Sequence, residues 1–570
     1  MRVAVAQFAV GADTGANLAA CLRMLDEAAF CQPDLVVLPE FCNHLSWYEN
    51  QEHCYEVSLD LNSDFLIAVA DKVRSIGAWV VINCTVRREE PVCTGTSLLY
   101  NPEGELVAEN DKQVLIGHEN DFLRKAQEPG PIAETPFGRV GLYACMDGVI
   151  NETPRCLALR GAQLLCNSLN SFASDEGSLH IPVRAAENKV FVAAANKVGP
   201  LIPEAILEPV SQETGIPVEF LMGAGESQIV APDGTVLARA SLDREEVVFA
   251  DIDLDDANSK QRPDGTDSFA VRRPELYAAL AEDPARQTPA FGGAESAKAA
   301  LIQLEDSGAE AAAEAAEQIS VAFAAGAQLV VLPHLFFLPG QQVEDLDDAR
   351  EDSAGMVEFL GALCSEGQYL ATSLVLGEPA QLCAVLIGYA GIVLQQGQLH
   401  RSERYEWSAL SDQVEVAGLG FSRVAMLTSD DACLPESFRL AALTGADTVI
   451  VPALPQEAWE LSTGLLERSA ENRVNLLVAA QPGLIGRSFA TSLTRDFTVM
   501  TPWEEREFDG LLSQPPVTMA DGYAGITHVK IHPQCAENKV VSRGTDLLAG
   551  RPWQLLDPIC SLSPEQEKAG

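Results

Sequence analysis

The chain has 570 residues, of which 82 are acidic and 38 basic, for a formal net charge of −44. So acidic a protein is a poor partner for nucleic acid or an anionic membrane, because both are polyanions met with Lys and Arg. Hydrophobic residues make up 47% of the sequence, enough for substantial cores, and the length calls for two or more domains or a duplicated large one.

The fourteen cysteines include no CxxC pair. They form neither a small disulfide scaffold nor a zinc or thioredoxin motif, and read as reduced thiols. The eight histidines are scattered, so no metal site is signalled. Nowhere is there a run of about 20 apolar residues, and a cytoplasmic protein is expected.

In chain order, Met1 to Phe8 alternates apolar and polar residues as a strand does, rather than as a leader segment. Asn17 to Ala29 has helical spacing, and Leu35 to Leu38 is a short apolar strand running into Pro39-Glu40. Lys112 lies in the segment Glu109 to Leu115, with Glu119 seven positions on. Arg139 to Ala144 predicts a strand that delivers Cys145-Met146-Asp147-Gly148, followed by a helical segment from Leu157 to Gly161. This is an α/β pattern with polar groups at strand ends, where open α/β sheets bind ligands. Taken singly, Glu40 reads as a solvated strand end, Cys145 as a small buried residue and Lys112 as a surface lysine.

The chain also matches itself. Phe137-Gly138-Arg139-Val140 faces Phe421-Ser422-Arg423-Val424, Gly161-Ala162 faces Gly445-Ala446, and Arg184 to Asn188 faces Arg468 to Asn472, all at an offset of 421 − 137 = 284. Glu152 and Arg155 likewise face Glu436 and Arg439. Upstream, Leu35 to Pro39 faces Leu329 to Pro333 at 329 − 35 = 294, and Thr266-Asp267 faces Thr545-Asp546 at 545 − 266 = 279. One unit is therefore written twice in tandem. The expected segments are residues 1–283, a Gly-, Pro- and Ala-rich linker at 284–296, and residues 297–570 with a C-terminal tail.

In this order and spacing, Glu40, Lys112 and Cys145 resemble the Glu-Lys-Cys signature of the nitrilase or carbon–nitrogen hydrolase superfamily. The similarity runs from Val3 to Tyr277 and includes Asn196 to Gly199, Gly225-Glu226-Ser227 and Pro232-Asp233-Gly234. The resemblance implies that Cys145 is the nucleophile, Glu40 the general base and Lys112 the stabiliser of the tetrahedral intermediate. It further implies that Glu119 positions the set and that the Met146 backbone N–H completes the oxyanion hole. The implied fold is a pair of four-layer αββα sandwiches forming an internal pseudo-dimer, an arrangement open to further homo-oligomerisation. The implied partner is a small amide-type molecule, with no metal or organic cofactor.

Nitrile-hydrolysing members typically carry Cys-Trp-Glu-His, whereas Cys145-Met146-Asp147-Gly148 looks closer to amidase members. That favours hydrolysis of a carboxamide or N-carbamoyl group with release of ammonia. The alternatives are nitrile hydrolysis, or a non-catalytic or ammonia-supplying scaffold. A Cys-His dyad would need His44, His118 or His180 beside Cys145, of which His118 is best placed. The segment Pro200 to Met222 is insertion-like and is expected to cover the pocket and set substrate choice, or to form a surface excursion or subunit contact.

The second copy places His334 opposite Glu40 (334 − 40 = 294) and Ser429 opposite Cys145 (429 − 145 = 284), with Arg401 or Arg404 opposite Lys112. Without a strong base or a transferable proton it reads as a pseudoenzyme, the sharper alternative being a Ser429–His334 dyad beside Asp430 or Asp431.

Overall fold

The computed structural model describes residues 1–286, 292–483 and 485–562. Part of the expected linker and the last eight residues of the C-terminal tail lie outside them. Two compact units emerge, and each draws on both repeats. Unit one holds Met1–Lys260, Asp496–Ser513 and residues 540–562, and unit two holds Gln261–Arg495 and Gln514–Lys539. Residues 261–283, which the sequence groups with the first copy, thus belong to the second unit, and two stretches of the second copy belong to the first.

Unit one contains two six-stranded sheets. In spatial order the first runs Glu246–Asp251, Arg2–Gln7, Leu35–Val37, Trp79–Arg87, Cys93–Tyr100 and Leu106–Asp111. The second runs Val236–Arg239, Gln228–Val230, Phe191–Ala195, Leu164–Ser168, Gly138–Ala144 and Ala133–Thr135. The central three strands of each sheet are parallel.

Side-chain alternation then builds the layers. From the first strand, Val3 and Val5 point into a core shared with Val140, Leu142, Leu164, Cys166 and Ala193 of the second sheet. Ala4, Ala6 and Phe8 point the other way, onto Cys21, Met24, Leu25 and Ala28 of one helix and Phe65, Val69 and Val73 of another. Those helices, Thr14–Ala29 and Asp64–Ile76, begin at Asp13 and Ser63, whose side chains accept backbone N–H groups. Helices Glu152–Leu159 and Ile181–Asn188 cover the outer face of the second sheet. The layers are α, β, β, α.

Unit two repeats the plan. Its first sheet runs Gly391–Gly397, Gln381–Gly388, Tyr369–Leu376, Leu329–Val331, Ala297–Gln303 and Gly525–Ile531. Its second runs Val416–Gly418, Arg423–Met426, Thr448–Pro452, Asn475–Ala479, Phe489–Thr491 and Val517–Met519. All fourteen cysteines are free thiols.

Candidate active site

Parallel strands of both sheets in unit one end at one place. Glu40 follows Leu35–Val37, Cys145 follows Gly138–Ala144, and Lys197 follows Phe191–Ala195. Hydrogen bonds hold these ends together across the two sheets: Glu40 N–H donates to Leu169 O at 3.1 Å, and Ser168 Oγ donates to Leu38 O at 2.8 Å. Cys145 N–H donates to Ser168 O and to Asn167 Oδ1, both at 3.0 Å.

Cys145 has φ 48° and ψ −110°, a backbone conformation that side chains other than glycine rarely adopt. Such strain persists where surrounding structure over-determines it, often at functional sites. Met146 follows as the first residue of the short helix Met146–Val149, so its amide opens the turn beside the sulfur.

Lys112 Nζ lies 2.9 Å from Glu40 Oε1 and 2.9 Å from Glu119 Oε2, with all three side chains buried. The second oxygen of Glu40, Oε2, is buried with no hydrogen-bond partner. Burial pushes the Glu40 carboxyl up to about 7 against the opposing pull of Lys112. Burial alone would lower Lys112, but Glu119 and Glu40 outweigh it and hold the ammonium well above its ordinary range. Burial, and then Glu40, raise the Cys145 thiol well above the usual range, against Lys112. At rest the set therefore comprises a neutral thiol, a firm ammonium and a carboxyl poised near neutrality.

Asp147 positions this set. Its Oδ1 accepts the amides of Gln113 at 3.0 Å and Val114 at 2.7 Å, and its Oδ2 that of Ala144 at 3.3 Å. The loop carrying Lys112 is thereby tied to the turn carrying Cys145. Burial pushes this carboxyl up to about 7 despite Lys112 and those amides. In the sequence Asp147 stands out only as part of the Cys145 to Gly148 motif. Its signal was the position two residues after the cysteine, which places a short acceptor beneath the turn.

The histidines point elsewhere. His118 Nε2 lies 3.1 Å from Tyr48 O, its Nδ1 lies 3.3 Å from Asp121, and its ring stacks on Trp47 at 4.9 Å. His44 Nδ1 meets Leu45 O, and His180 lies 3.5 Å from Asp175. Among the described residues no group of His, Cys, Asp and Glu could hold a metal ion.

The insertion closes on itself through a bridge between Pro200 and Met222 and contains the helix Leu207–Thr214. Its Ile202, Leu207, Ile216 and Leu221 pack in one cluster with Val114 and Met146, which flank the loop and turn just described, and with Phe497, Phe508 and Leu512. It is neither a loose excursion nor an isolated cover. Asp175 accepts the amides of Leu512 and Ser513, each at 2.9 Å, and Phe508 lies against Phe172 and Phe220 at 5.8 and 5.4 Å.

In unit two the equivalent place carries different side chains. Asp431 accepts the amides of Leu399 and His400 as Asp147 accepts those of Gln113 and Val114. Gln398 N–H donates to Leu382 O, and Ser411 N–H donates to Gln398 O, as Lys112 does with Gly95 and Ala126. These bonds correct the sequence register: Gln398, rather than Arg401 or Arg404, stands where Lys112 stands, and Tyr405 stands where Glu119 does. The shortened segment between the repeats hid this.

Arg404 instead pairs with Asp430 at 2.7 Å, beside Arg262, which is also 2.7 Å from Asp430. His334 is committed at both ring nitrogens, to Ser373 Oγ and Tyr405 OH at 2.8 Å each, and burial lowers it to about 3. Ser429 Oγ accepts the Leu454 amide at 2.9 Å. The Ser429–His334 dyad considered from sequence is therefore not formed.

Comparison with known proteins matches residues 2–262 to the carbon-nitrogen hydrolase family. A protein named nitrilase from Pyrococcus abyssi is 29% identical over 265 residues, covering 46% of this chain and 92% of that protein. The omega-amidase NIT2 of Bos taurus is 27% identical over 289 residues, covering 48% and 96%. A solved amidase from Nesterenkonia sp. is 24% identical, with 46% of this chain and 93% of that one covered and a TM-score of 0.39.

Proposed function

Residues 2–262 are a carbon–nitrogen hydrolase domain of the nitrilase superfamily, and on that premise we propose that the protein hydrolyses a small carboxamide or N-carbamoyl compound through a thioacyl-enzyme on Cys145. The observation that carries this reading is the buried Lys112 bridging Glu40 and Glu119 beside the strained Cys145 turn.

Glu40 takes the Cys145 proton as sulfur attacks the carbonyl carbon. A carboxyl near 7 is matched to that transfer at neutral pH. The tetrahedral oxyanion is met by the Lys112 ammonium and the Met146 N–H. Protonated Glu40 then gives its proton to the leaving nitrogen, the C–N bond breaks and ammonia departs. Glu40 next deprotonates a water that attacks the thioester, releasing the acid and restoring the thiol. Glu119 keeps Lys112 in place throughout. The companion amidase-named relatives and the Met146-Asp147 sequence after the nucleophile support amide over nitrile substrates.

The test is an ammonia-release screen over amides, N-carbamoyl compounds and nitriles with the full chain. Turnover on the first two classes that falls to background in Cys145→Ala is expected. Turnover on nitriles alone would overturn the substrate class, and silence across the panel would favour a non-catalytic role.

A further inference from the structure

A second lysine lies buried at the site. Lys197 is wholly buried, and its Nζ is 5.9 Å from the centre of the Phe41 ring, which Lys112 Nζ approaches to 5.6 Å. Its hydrogen bond is a long one, donated to Phe41 O at 3.5 Å. Among the described residues no carboxylate lies within ion-pairing distance of it. Burial pulls its ammonium down to about 8, while Cys42, Glu40 and Cys145 pull it back.

A buried charge without a carboxylate partner is costly to fold around, and such groups concentrate where function uses them. The charge balance shows the use. Glu40 and Glu119 bring two negative charges and Lys112 one positive, so ionising Cys145 while Glu40 is ionised would add a second net negative charge to a buried cluster. Cys145 is faced by Glu40, Lys112, Glu176 and Glu119, and the three carboxylates all oppose its ionisation. Lys197 is faced by Cys42, Glu40, Cys145 and Cys21, with Cys84 and His44 also within its field.

We propose that Lys197 is a positioning residue that supplies the second cation required to ionise Cys145 and Glu40. The proposal rests on the reading of Cys145 as nucleophile. It acts through charge alone, so the alkylation rate of Cys145 reports it without a known substrate.

The full-length protein is treated with iodoacetamide from pH 5 to 9, and labelling is followed by intact mass with Cys145→Ala as control. Lys197→Met, which keeps the length and removes the charge, is expected to melt at the same or a higher temperature. Its alkylation curve should shift up by about one pH unit, making labelling about tenfold slower on the rising limb. Lys197→Arg should restore the wild-type curve. In wild-type protein the rise should flatten near pH 8, where Lys197 loses the proton whose charge favours the thiolate. An unmoved curve in Lys197→Met, or a lowered melting temperature without a shift, would make Lys197 a packing residue and overturn the proposal. Should the variant not fold, a wild-type curve that climbs through pH 8 without flattening does the same. Absence of any labelling at Cys145 would instead overturn the nucleophile assignment.

Discussion

Glu40 carries a cost that follows from its place. Its carboxyl is raised to about 7 by burial, against about 4.3 for an exposed glutamate. Between these values the folded protein holds a proton that the unfolded chain releases, so this group's contribution falls as pH rises from about 4 to 7. Replacing it with neutral glutamine removes that loss. Glu40→Gln should be more stable than wild type by up to about 3 kcal/mol at pH 8, with no difference below pH 4, in denaturant titrations at the two pH values. The same variant should lose ammonia release, and wild-type kcat/KM should fall about tenfold per pH unit below 7.

At this scale Glu40, Lys112, Glu119 and Cys145 were readable, because each stands in a motif whose spacing survives. Lys197, Gln398 and Tyr405 were not. Lys197 falls inside the Asn196 to Gly199 block, but the block carries no role for its charge, and only burial sets it apart. Gln398 lies where repeat spacing changes, and only the amides received by Asp431 fix its register.

Segments act through a few shared acceptors. Asp147 ties the Lys112 loop to the Cys145 turn, and Asp175 ties the Leu512–Ser513 backbone to the segment after Leu164–Ser168. Losing Asp175 strands two buried amides and losing Asp147 three, each costing about 1–3 kcal/mol. Asp175→Ala should therefore loosen residues 508–513, read as faster amide hydrogen exchange there. Unchanged exchange would mean the aromatic contacts of Phe508 suffice. The sequence located strands and helices well where periodicity was strong, as in Thr14–Ala29 and Gly138–Ala144. It left the Pro200 to Met222 segment undecided, because its apolar residues find partners far away in the chain.

The duplication was legible as offsets of 284, 294 and 279 positions, and both units carry the same pair of six-stranded sheets. The exchange of segments was not legible, since self-similarity identifies what a segment resembles and says nothing of the core it joins. Unit one depends on Asp496–Ser513 and residues 540–562. These supply Phe497, Phe508, Leu512 and Val541 to its apolar cluster, and Cys156 Sγ donates to Leu555 O at 3.7 Å. A chain ending at residue 290 should consequently be poorly folded and inactive. Full activity and a wild-type melting curve from that truncation would contradict a structural need for the second repeat.

The proposed reaction turns on covalent chemistry at one sulfur. Full-length protein turning over an amide found in the screen, quenched in acid and weighed intact, should gain the mass of the acyl group, and peptide mapping should place it on Cys145 and find none in Cys145→Ala. An adduct on Ser429, or turnover with no adduct on Cys145 under conditions that trap the intermediate, would contradict it.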